Sequence, residues 1–208
     1  MAVRPRPRPA VWAGCEHEGV TRIVAGKAGG RKLRVPPRGT RPTTELVREA
    51  LFSSLEAAGE LDGVRVLDLY SGSGALGLEA LSRGAREAMF VEADRTAVEV
   101  LRGNIARVGL GGVVRQGKVE TVVAEPAPEP FELVLADPPY AVDAETLGVV
   151  LTRLVEGGWL APDALVVVER RLQDGPPRWP DALRVLRTRR YGDNGLFRAE
   201  YPAEHSAD

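Results

Sequence analysis

The chain has 208 residues, 44% of them apolar, and a formal net charge of −1, values typical of one globular α/β domain with a small appendage. Its one cysteine, Cys15, and its two histidines, His17 and His205, lie near the ends. These counts exclude an intrachain disulfide and argue against histidine catalysis and a His- or Cys-ligated metal. No apolar run approaches the ~20 residues of a membrane helix. We therefore expect a cytoplasmic protein, a monomer in the simplest case, that uses neither a metal nor a membrane.

Charge is distributed unevenly along the chain. Residues 1–48 contain 11 Lys and Arg against 3 Asp and Glu, whereas the remainder is acidic. A basic segment on an acidic body favours contact with a polyanion such as a nucleic acid. An ordinary solvated surface is the alternative interpretation of the same pattern.

The first predicted segment, residues 1–19, contains alternating Arg and Pro without hydrophobic periodicity, so we expect a disordered tail. The abrupt change of composition at Val20 suggests that translation starts there and that the tail is an extension of the gene model. Residues 20–60 form a predicted basic hairpin and helix. Strands are expected at 21–25 and 31–35, and a helix over 43–58 begins at Thr43 or Thr44. Residues 203–208 are a second predicted tail.

Predicted strands and helices alternate from residue 61 to residue 202. Strands are expected at residues 64–69, 88–92, 113–116, 131–136, 164–169, 183–190 and 196–201, and helices at residues 75–82, 95–108 and 144–156. Repeated βα units predict a doubly wound, mostly parallel seven-stranded sheet with helices on both faces, which is a Rossmann-like α/β fold. The last two strands read as a closing antiparallel pair.

The sequence Asp-Leu-Tyr-Ser-Gly-Ser-Gly-Ala-Leu-Gly, residues 68–77, lies where the first strand of this series becomes a helix. Open α/β sheets bind ligands at the carboxyl ends of their strands, and Gly72 and Gly74 allow close approach to the backbone. Glu92 lies 20 residues after Gly72 and is suited to accept from both hydroxyls of a ribose. The pattern predicts either a nicotinamide dinucleotide or S-adenosylmethionine, whose ammonium group would suit Asp68.

A second motif, Asp137-Pro138-Pro139-Tyr140, follows the apolar run 131–136. The two prolines end the strand and make residues 137–140 a rigid segment, the ledge. The ledge carries two acceptors, the Asp137 carboxylate and the Pro138 carbonyl, beside a tyrosine ring. Both acceptors can hold a planar amino group whose ring stacks on Tyr140. The fourth strand of the series is expected beside the first, so the amine would face the cofactor. This favours S-adenosylmethionine and methyl transfer by positioning, without a histidine or cysteine.

Together, the glycine block (residues 68–77), Glu92 and the ledge resemble the corresponding motifs of class I methyltransferases that modify exocyclic amines. Segments 22–26, 29–33, 41–52 and 68–85, in this order and spacing, resemble the RsmD family, which methylates the N2 amine of a guanine in 16S ribosomal RNA. The resemblance covers roughly residues 21–201 and makes 61–202 the methyltransferase domain. It implies S-adenosylmethionine as the cofactor, and 16S rRNA or the assembling small ribosomal subunit as the partner.

The resemblance also assigns residues to roles. The implied cofactor-binding residues are Thr43, Thr44, Arg48, Asp68, Tyr70, Ser71, Gly72, Gly74, Glu92, Ala93, Lys118 and Val119. The implied catalytic residues are Asp137, Pro138, Pro139 and Tyr140. The implied RNA-binding residues are Arg22, Lys27, Arg31, Lys32, Arg34 and Arg38. In this scheme Arg48 pairs with the cofactor carboxylate, Lys118 and Val119 border the adenine, and Tyr140 stacks on a guanine that is flipped out or already unpaired.

Three alternatives remain open. The ledge would equally serve an amine methyltransferase that acts on DNA or on another RNA. The spacing Gly72-x-Gly74-x-x-Gly77 also permits an NAD-dependent oxidoreductase. A non-catalytic RNA-binding or ribosome-assembly factor is the third alternative, and the intact ledge argues against it.

Overall fold

The computed structural model describes residues 19–37 and 44–203. The predicted tail up to residue 18, the predicted site residues Arg38 and Thr43, and residues 204–208 lie outside the described ranges. Within those ranges, no helix has the length and apolar character needed to cross a membrane. The same residues contain no group of three or more His, Cys, Asp and Glu side chains arranged to hold a metal ion.

The described part begins with a short antiparallel hairpin of β1 (Val20–Arg22) and β2 (Lys32–Arg34). Both strands are shorter than predicted, and the first ends at Arg22 because the Val24 and Ala25 N–H groups donate to the side chain of Glu79 instead of to a strand. A 3-10 turn, Gly26–Ala28, lies in the connection. Helix α1 (Glu45–Ala57) follows. Thr44 is its N-cap and accepts a hydrogen bond from the Val47 N–H at 3.3 Å, which satisfies one of the unpaired donors of the first turn.

A central sheet of eight strands carries the fold. Its strands are β3 (Arg65–Leu69), β4 (Glu87–Glu92), β5 (Val113–Gln116), β6 (Phe131–Ala136), β7 (Leu160–Arg171), β8 (Arg184–Val185), β9 (Arg189–Tyr191) and β10 (Asn194–Tyr201). The order is β5-β4-β3-β6-β7-β10, and β8 and β9 both pair with β10. Strands β3 to β7 are parallel, and β10 is antiparallel to β7. The Rossmann-like α/β prediction is confirmed.

The count of seven strands was wrong at the closing edge. The segment predicted as one strand, 183–190, forms the two short strands β8 and β9, which pair with different parts of β10. They share one edge position, so the sheet remains seven positions wide. β7 begins earlier and ends later than predicted, and Arg170 and Arg171 therefore extend it beyond Glu169.

Four helices cover the sheet: α2 (Ala75–Ser82), α3 (Arg95–Val108), α4 (Val119–Val122) and α5 (Ala144–Glu156). The long helices agree with prediction because their first turns are capped by side chains. Asp94 accepts from the Ala97 N–H at 2.8 Å, and Asp143 accepts from the Thr146 N–H at 2.7 Å. α4 was not predicted, since four residues are too few to show a helical period.

Apolar side chains pack on both faces of the sheet, and neighbours along a strand alternate between two clusters, as Leu133 and Val134 do. The hairpin belongs to the first cluster, where Ile23 and Leu33 are fully buried. Polar contacts fix it further. The carboxylate oxygens of Glu79 on α2 accept from the Val24 N–H at 2.7 Å and the Ala25 N–H at 3.0 Å. The predicted appendage is therefore packed onto the α/β body and shares its core.

Candidate active site

A cavity of about 540 Å³ opens at the carboxyl ends of β3, β4 and β6, a volume typical of small-molecule sites. Chain order reverses between β3 and β6, which is where doubly wound sheets bind ligands. The predicted cofactor residues that line the cavity are Asp68, Tyr70, Ser71, Gly72, Glu92, Ala93, Lys118 and Val119. Asp137 and Pro139 line it from the ledge. Four segments of the chain therefore converge on one cavity.

The loop between β3 and α2 presents its backbone to this cavity. Tyr70 has φ of 58° and Gly72 has φ of 52°, so the chain turns sharply after the strand. The Ser71 hydroxyl donates to the Asp68 carbonyl at 2.6 Å and holds the turn. No atom lies within 4 Å of a Cβ built on Gly72, so this position is open toward the cavity.

Gly74 and Gly77 have a different role, which corrects the prediction that Gly74 admits a ligand. Gly74 has φ of 78° and does not line the cavity, and a Cβ there would lie 2.3 Å from Leu101 Cδ1. A Cβ on Gly77 would lie 2.4 Å from the Phe90 ring. These two glycines allow α2 to pack closely on the sheet and on α3.

Glu92 ends β4, and its carboxylate is held by two backbone donors. Oε2 accepts from the Gly72 N–H at 2.8 Å, and Oε1 accepts from the Asp94 N–H at 2.8 Å. These bonds fix the carboxylate at the cavity wall. A carboxylate oxygen has two lone pairs, so each oxygen retains capacity to accept from a ligand hydroxyl.

Asp68 is the most buried carboxylate of the cavity, with 1% of its surface exposed. Burial raises its pKa to about 8, the Gly77 N–H opposes that rise by donating to Oδ2 at 2.9 Å, and the charges of Asp137 and Glu92 add to it. A buried acid that shares a cavity with four other acidic residues favours a cationic ligand, because a cation stabilises its ionised form.

The ledge crosses the sheet edge next to this cavity. Ala136, the last residue of β6, pairs with Leu69 of β3, so Asp137 lies beside the start of the loop between β3 and α2. Pro138 is buried, whereas the Tyr140 ring is 52% exposed and not part of the core. The Arg171 guanidinium lies 4.5 Å from the centre of that ring. Asp137 and Pro139 also line a second, narrower cleft on the far side of the ledge.

Lys118 and Val119 lie at the opposite end of the cavity, at the start of α4. The Tyr70 hydroxyl donates a long hydrogen bond to Glu120 Oε1 at 3.4 Å, so the tyrosine connects the loop between β3 and α2 to α4. Burial raises the pKa of Tyr70, and the neighbouring Glu120 charge adds to the rise, which keeps the phenol neutral.

Besides Gly74, two more predicted cofactor residues lie outside the cavity. Thr44 caps α1 and does not line the cavity. Arg48 is fully buried beneath the hairpin, where its Nη2 donates to the Arg22 carbonyl at 2.6 Å and to Thr21 Oγ1 at 3.1 Å. Its Nε lies 4.0 Å from Glu79 Oε2. In this structure Arg48 joins α1 to the hairpin, which corrects the expectation that it faces the cofactor.

Comparison with known proteins identifies the family. The family described as Conserved hypothetical protein 95 matches residues 21–198. Ribosomal RNA small subunit methyltransferase D of Escherichia coli is 37% identical over 91% of this chain and 96% of its own length. The chain belongs to the RsmD family.

Solved structures agree with the RsmD assignment. The structure of the protein yhhF from Escherichia coli is 35% identical, with a TM-score of 0.80, over 89% of this chain and 99% of that one. An RNA methyltransferase from Salinibacter ruber, solved in complex with S-adenosyl-L-homocysteine, is 25% identical with a TM-score of 0.58, over 81% of this chain and 98% of that one. The RsmD match includes the hairpin as well as the sheet, so both belong to one family unit.

Of the basic residues that the RsmD resemblance assigned to RNA, two have structural contacts. Arg22 Nε donates to Glu45 Oε2 at 3.0 Å. Arg31 Nη1 donates to the carbonyls of Arg107 and Val108 and caps the end of α3. Lys27, Lys32 and Arg34 are exposed, and no ion pair is found for them among residues 19–37 and 44–203. These three side chains are the better placed to meet RNA.

Eight residues that line the cavity were not among the predicted site residues: Val35, Pro36, Ser73, Ala75, Leu76, Asp94, Ala97 and Glu120. Six of them flank predicted residues, whereas Val35 and Pro36 come from the segment after β2. Proline-rich sequence after a predicted hairpin was the available signal, but a loop that crosses to another element gives no periodic pattern.

Proposed function

We propose that this protein transfers a methyl group from S-adenosylmethionine to the exocyclic N2 amine of a guanine in 16S ribosomal RNA. One observation carries the proposal: Asp137 and Pro139 border both the cavity, at the carboxyl ends of β3, β4 and β6, and the cleft on the other side of the ledge. A donor held on one side of the ledge would meet an amine held on the other. The rRNA substrate is supported by the name of the Escherichia coli relative.

The cavity residues fit S-adenosylmethionine. Asp68 suits an ammonium group, the fixed Glu92 carboxylate suits two ribose hydroxyls, and Gly72 leaves the backbone open where a side chain would intrude. Lys118 and Val119 would border the adenine. The Salinibacter ruber structure with S-adenosyl-L-homocysteine, the demethylated product, supports this occupant. When bound, the cofactor supplies an electrophilic methyl group to the amine.

The ledge would position the amine. A guanine N2 lone pair is delocalised into the ring, so the free amine is a poor nucleophile. Acceptance of its two N–H bonds by the Asp137 carboxylate and the Pro138 carbonyl would favour a pyramidal nitrogen and direct its lone pair toward the cavity. Asp137 would also stabilise the positive charge that develops on the nitrogen. Pro138 and Pro139 hold the backbone rigid, so this geometry exists before the substrate arrives.

RNA contact would come from the exposed basic side chains of the hairpin, Lys27, Lys32 and Arg34. Tyr140, half exposed beside Asp137, would stack on the target base after it leaves its helix. The proposal places the protein in the cytoplasm, as a monomer, with 16S rRNA or the assembling small subunit as its partner.

The test is a methylation map of 16S rRNA from a strain that lacks this gene. We expect one N2-methylguanosine to disappear from nucleoside digests and primer extension, and to return when the gene is restored. An unchanged map with methyl transfer to another RNA or to DNA would overturn the rRNA assignment. Binding of NADH without binding of S-adenosylmethionine in calorimetry would overturn the cofactor.

A further inference from the structure

The cleft on the far side of the ledge is lined by side chains that the cavity does not use. Besides the ledge residues, they include Glu169, Arg170 and Arg171 from the end of β7 and Asn194 from the start of β10. β6 and β7 are parallel, and Ala136 pairs with Val168. The residues that follow them, Asp137 and Glu169, therefore lie side by side at the same edge of the sheet. The sheet thus presents a second carboxylate beside the ledge.

Glu169 is buried, with 6% of its surface exposed, and it is oriented by its neighbour. Asn194 Nδ2 donates to Glu169 Oε1 at 2.8 Å. An amide that donates to one oxygen helps to fix the plane of the carboxylate, and each carboxylate oxygen has two lone pairs.

Arg170, the next residue of β7, also lines this cleft. It is 9% exposed, and its Nη1 is buried without a hydrogen-bond partner among the described residues. A buried donor that lacks a partner costs free energy, so a ligand acceptor that Arg170 could reach would relieve that cost.

We infer that this cleft is the pocket for the target base and that Glu169 recognises guanine by accepting its N1–H. The inference rests on the proposed function and deepens it. The Watson–Crick edge of guanine carries three N–H donors, two on N2 and one on N1, followed by the O6 acceptor. Asp137 and Pro138 would take the N2 donors, Glu169 the N1–H, and Arg170 would donate to O6. Neighbouring strands lie about 4.8 Å apart, which matches the width of that edge.

The same set rejects other bases. Adenine has a lone pair at N1, which would face the Glu169 carboxylate, and it has an amino group where Arg170 requires an acceptor. A site with buried polar groups rejects a partner that leaves them unpaired far more strongly than it rejects one of the wrong size. Glu169 therefore supplies guanine specificity that the ledge, which needs only an amino group, lacks.

Entry to the pocket requires Arg171 to move. Its guanidinium lies 4.5 Å from the centre of the Tyr140 ring and is held by Asp174 at 2.9 and 3.1 Å. A base that stacks on this face of the ring has to displace the guanidinium, which cannot share the space. The narrow cleft is thus the closed form of the pocket, with the half-buried Arg171 guanidinium covering the stacking surface.

The test uses 2-aminopurine, which keeps the reactive N2 amine but has a lone pair at N1 and no O6. We measure kcat/KM of the wild-type protein and of Glu169→Gln on 16S rRNA that carries guanine or 2-aminopurine at the methylated position. The wild type is expected to prefer guanine by about 10- to 100-fold, the value of a buried bond to a charged group. Glu169→Gln should lose most of this preference and gain activity on 2-aminopurine, because its amide can donate to N1. Exposed Glu156→Gln, on α5, is the matched control and should keep the wild-type ratio.

The outcomes separate this inference from the proposed function. Wild-type methylation of both bases at equal rates, or an unchanged preference in a Glu169→Gln protein that binds S-adenosylmethionine normally, overturns the role of Glu169 and leaves the methyltransferase proposal standing. If the variant does not fold, competition decides with the wild type: RNA with inosine should inhibit about 10-fold better than RNA with unsubstituted purine, because both lack the N2 amine and only inosine carries N1–H and O6. Equal inhibition overturns the inference. Absence of any N2-methylguanosine from the wild type instead overturns the proposed function.

Discussion

The cavity on the β3 and β4 side of the ledge and the cleft on the β7 and β10 side share Asp137 and Pro139, but they present different groups. The cavity is shaped by backbone: the N–H groups of Gly72, Gly77 and Asp94 hold its carboxylates. The cleft is shaped by side chains, with Asn194 holding Glu169. A cavity ordered by backbone suits a ligand that many related enzymes share, whereas a cleft ordered by side chains can be specific for one base.

The largest expected effect is at the ledge itself, where both sides meet. Asp137→Ala should lower kcat of methyl transfer by about 10²–10³-fold, the usual loss when one preorganised group of an active site is removed. Binding of S-adenosylmethionine and of RNA should change little, as measured by calorimetry and filter binding. Exposed Asp181→Ala serves as the control. Retention of kcat within a few-fold would show that the amine is not held by Asp137.

Asp68 predicts a pH dependence that belongs to the cavity side alone. Because its pKa is raised to about 8, the free protein holds a proton there at pH 7, and a cationic ligand has to displace it. S-adenosylmethionine affinity should therefore rise about 10-fold per pH unit up to pH 8, with proton release visible in buffers of different ionisation enthalpy. In Asp68→Asn, affinity should fall about 10- to 100-fold and the proton release from this site should vanish. Proton release that persists in Asp68→Asn would assign the titration to another group.

The same shift has a consequence for folding. A folded-state pKa above the unfolded value of 3.8 means that the folded protein binds the proton more tightly. The resulting stability is complete below pH 4 and is lost as the pH rises through 8. Asp68→Asn removes this dependence, so the free variant should be at least as stable as the wild type at pH 9, even though it binds the cofactor more weakly.

The glycines distinguish packing from ligand approach within the cavity wall. Gly77→Ala should lower the free energy of unfolding by about 1–3 kcal/mol, because the new Cβ would lie 2.4 Å from the buried Phe90 ring. Gly72→Ala meets no atom within 4 Å and should cost about 1–2 kcal/mol through its positive φ. In Gly72→Ala, the loss of binding free energy for S-adenosylmethionine should exceed the loss of unfolding free energy, because the new methyl group would stand where the ligand approaches the backbone. Urea unfolding and calorimetry measure the two quantities, and equal cofactor affinity in the two variants would contradict the distinction.

Much of this site could be predicted from the sequence because its signals are local. The glycine block, Glu92 and the ledge each lie at the end of a strand with a clear apolar pattern, and parallel strands bring such ends together. Arg48 could not be assigned, because its burial depends on the hairpin that packs over α1. Glu169 was visible as a strand end, but its place beside Asp137 follows from the β6–β7 register, which no local pattern specifies.

The smallest expected effects lie on the hairpin. Its basic side chains are of two kinds: some are exposed without an ion pair among the described residues, and others donate hydrogen bonds within the protein. Replacement of Lys27 and Lys32 by Ala should reduce the slope of log affinity for rRNA against log salt by about 2, because each lost phosphate contact removes about one released counterion. Thermal stability should be unchanged, since both side chains are exposed. Arg31→Ala should do the reverse: it removes the donor to the Arg107 and Val108 carbonyls at the end of α3, so it should lower the melting temperature and alter the salt slope less. A salt slope that responds to Arg31 but not to the two lysines would move the RNA contact from the exposed face of the hairpin to the end of α3.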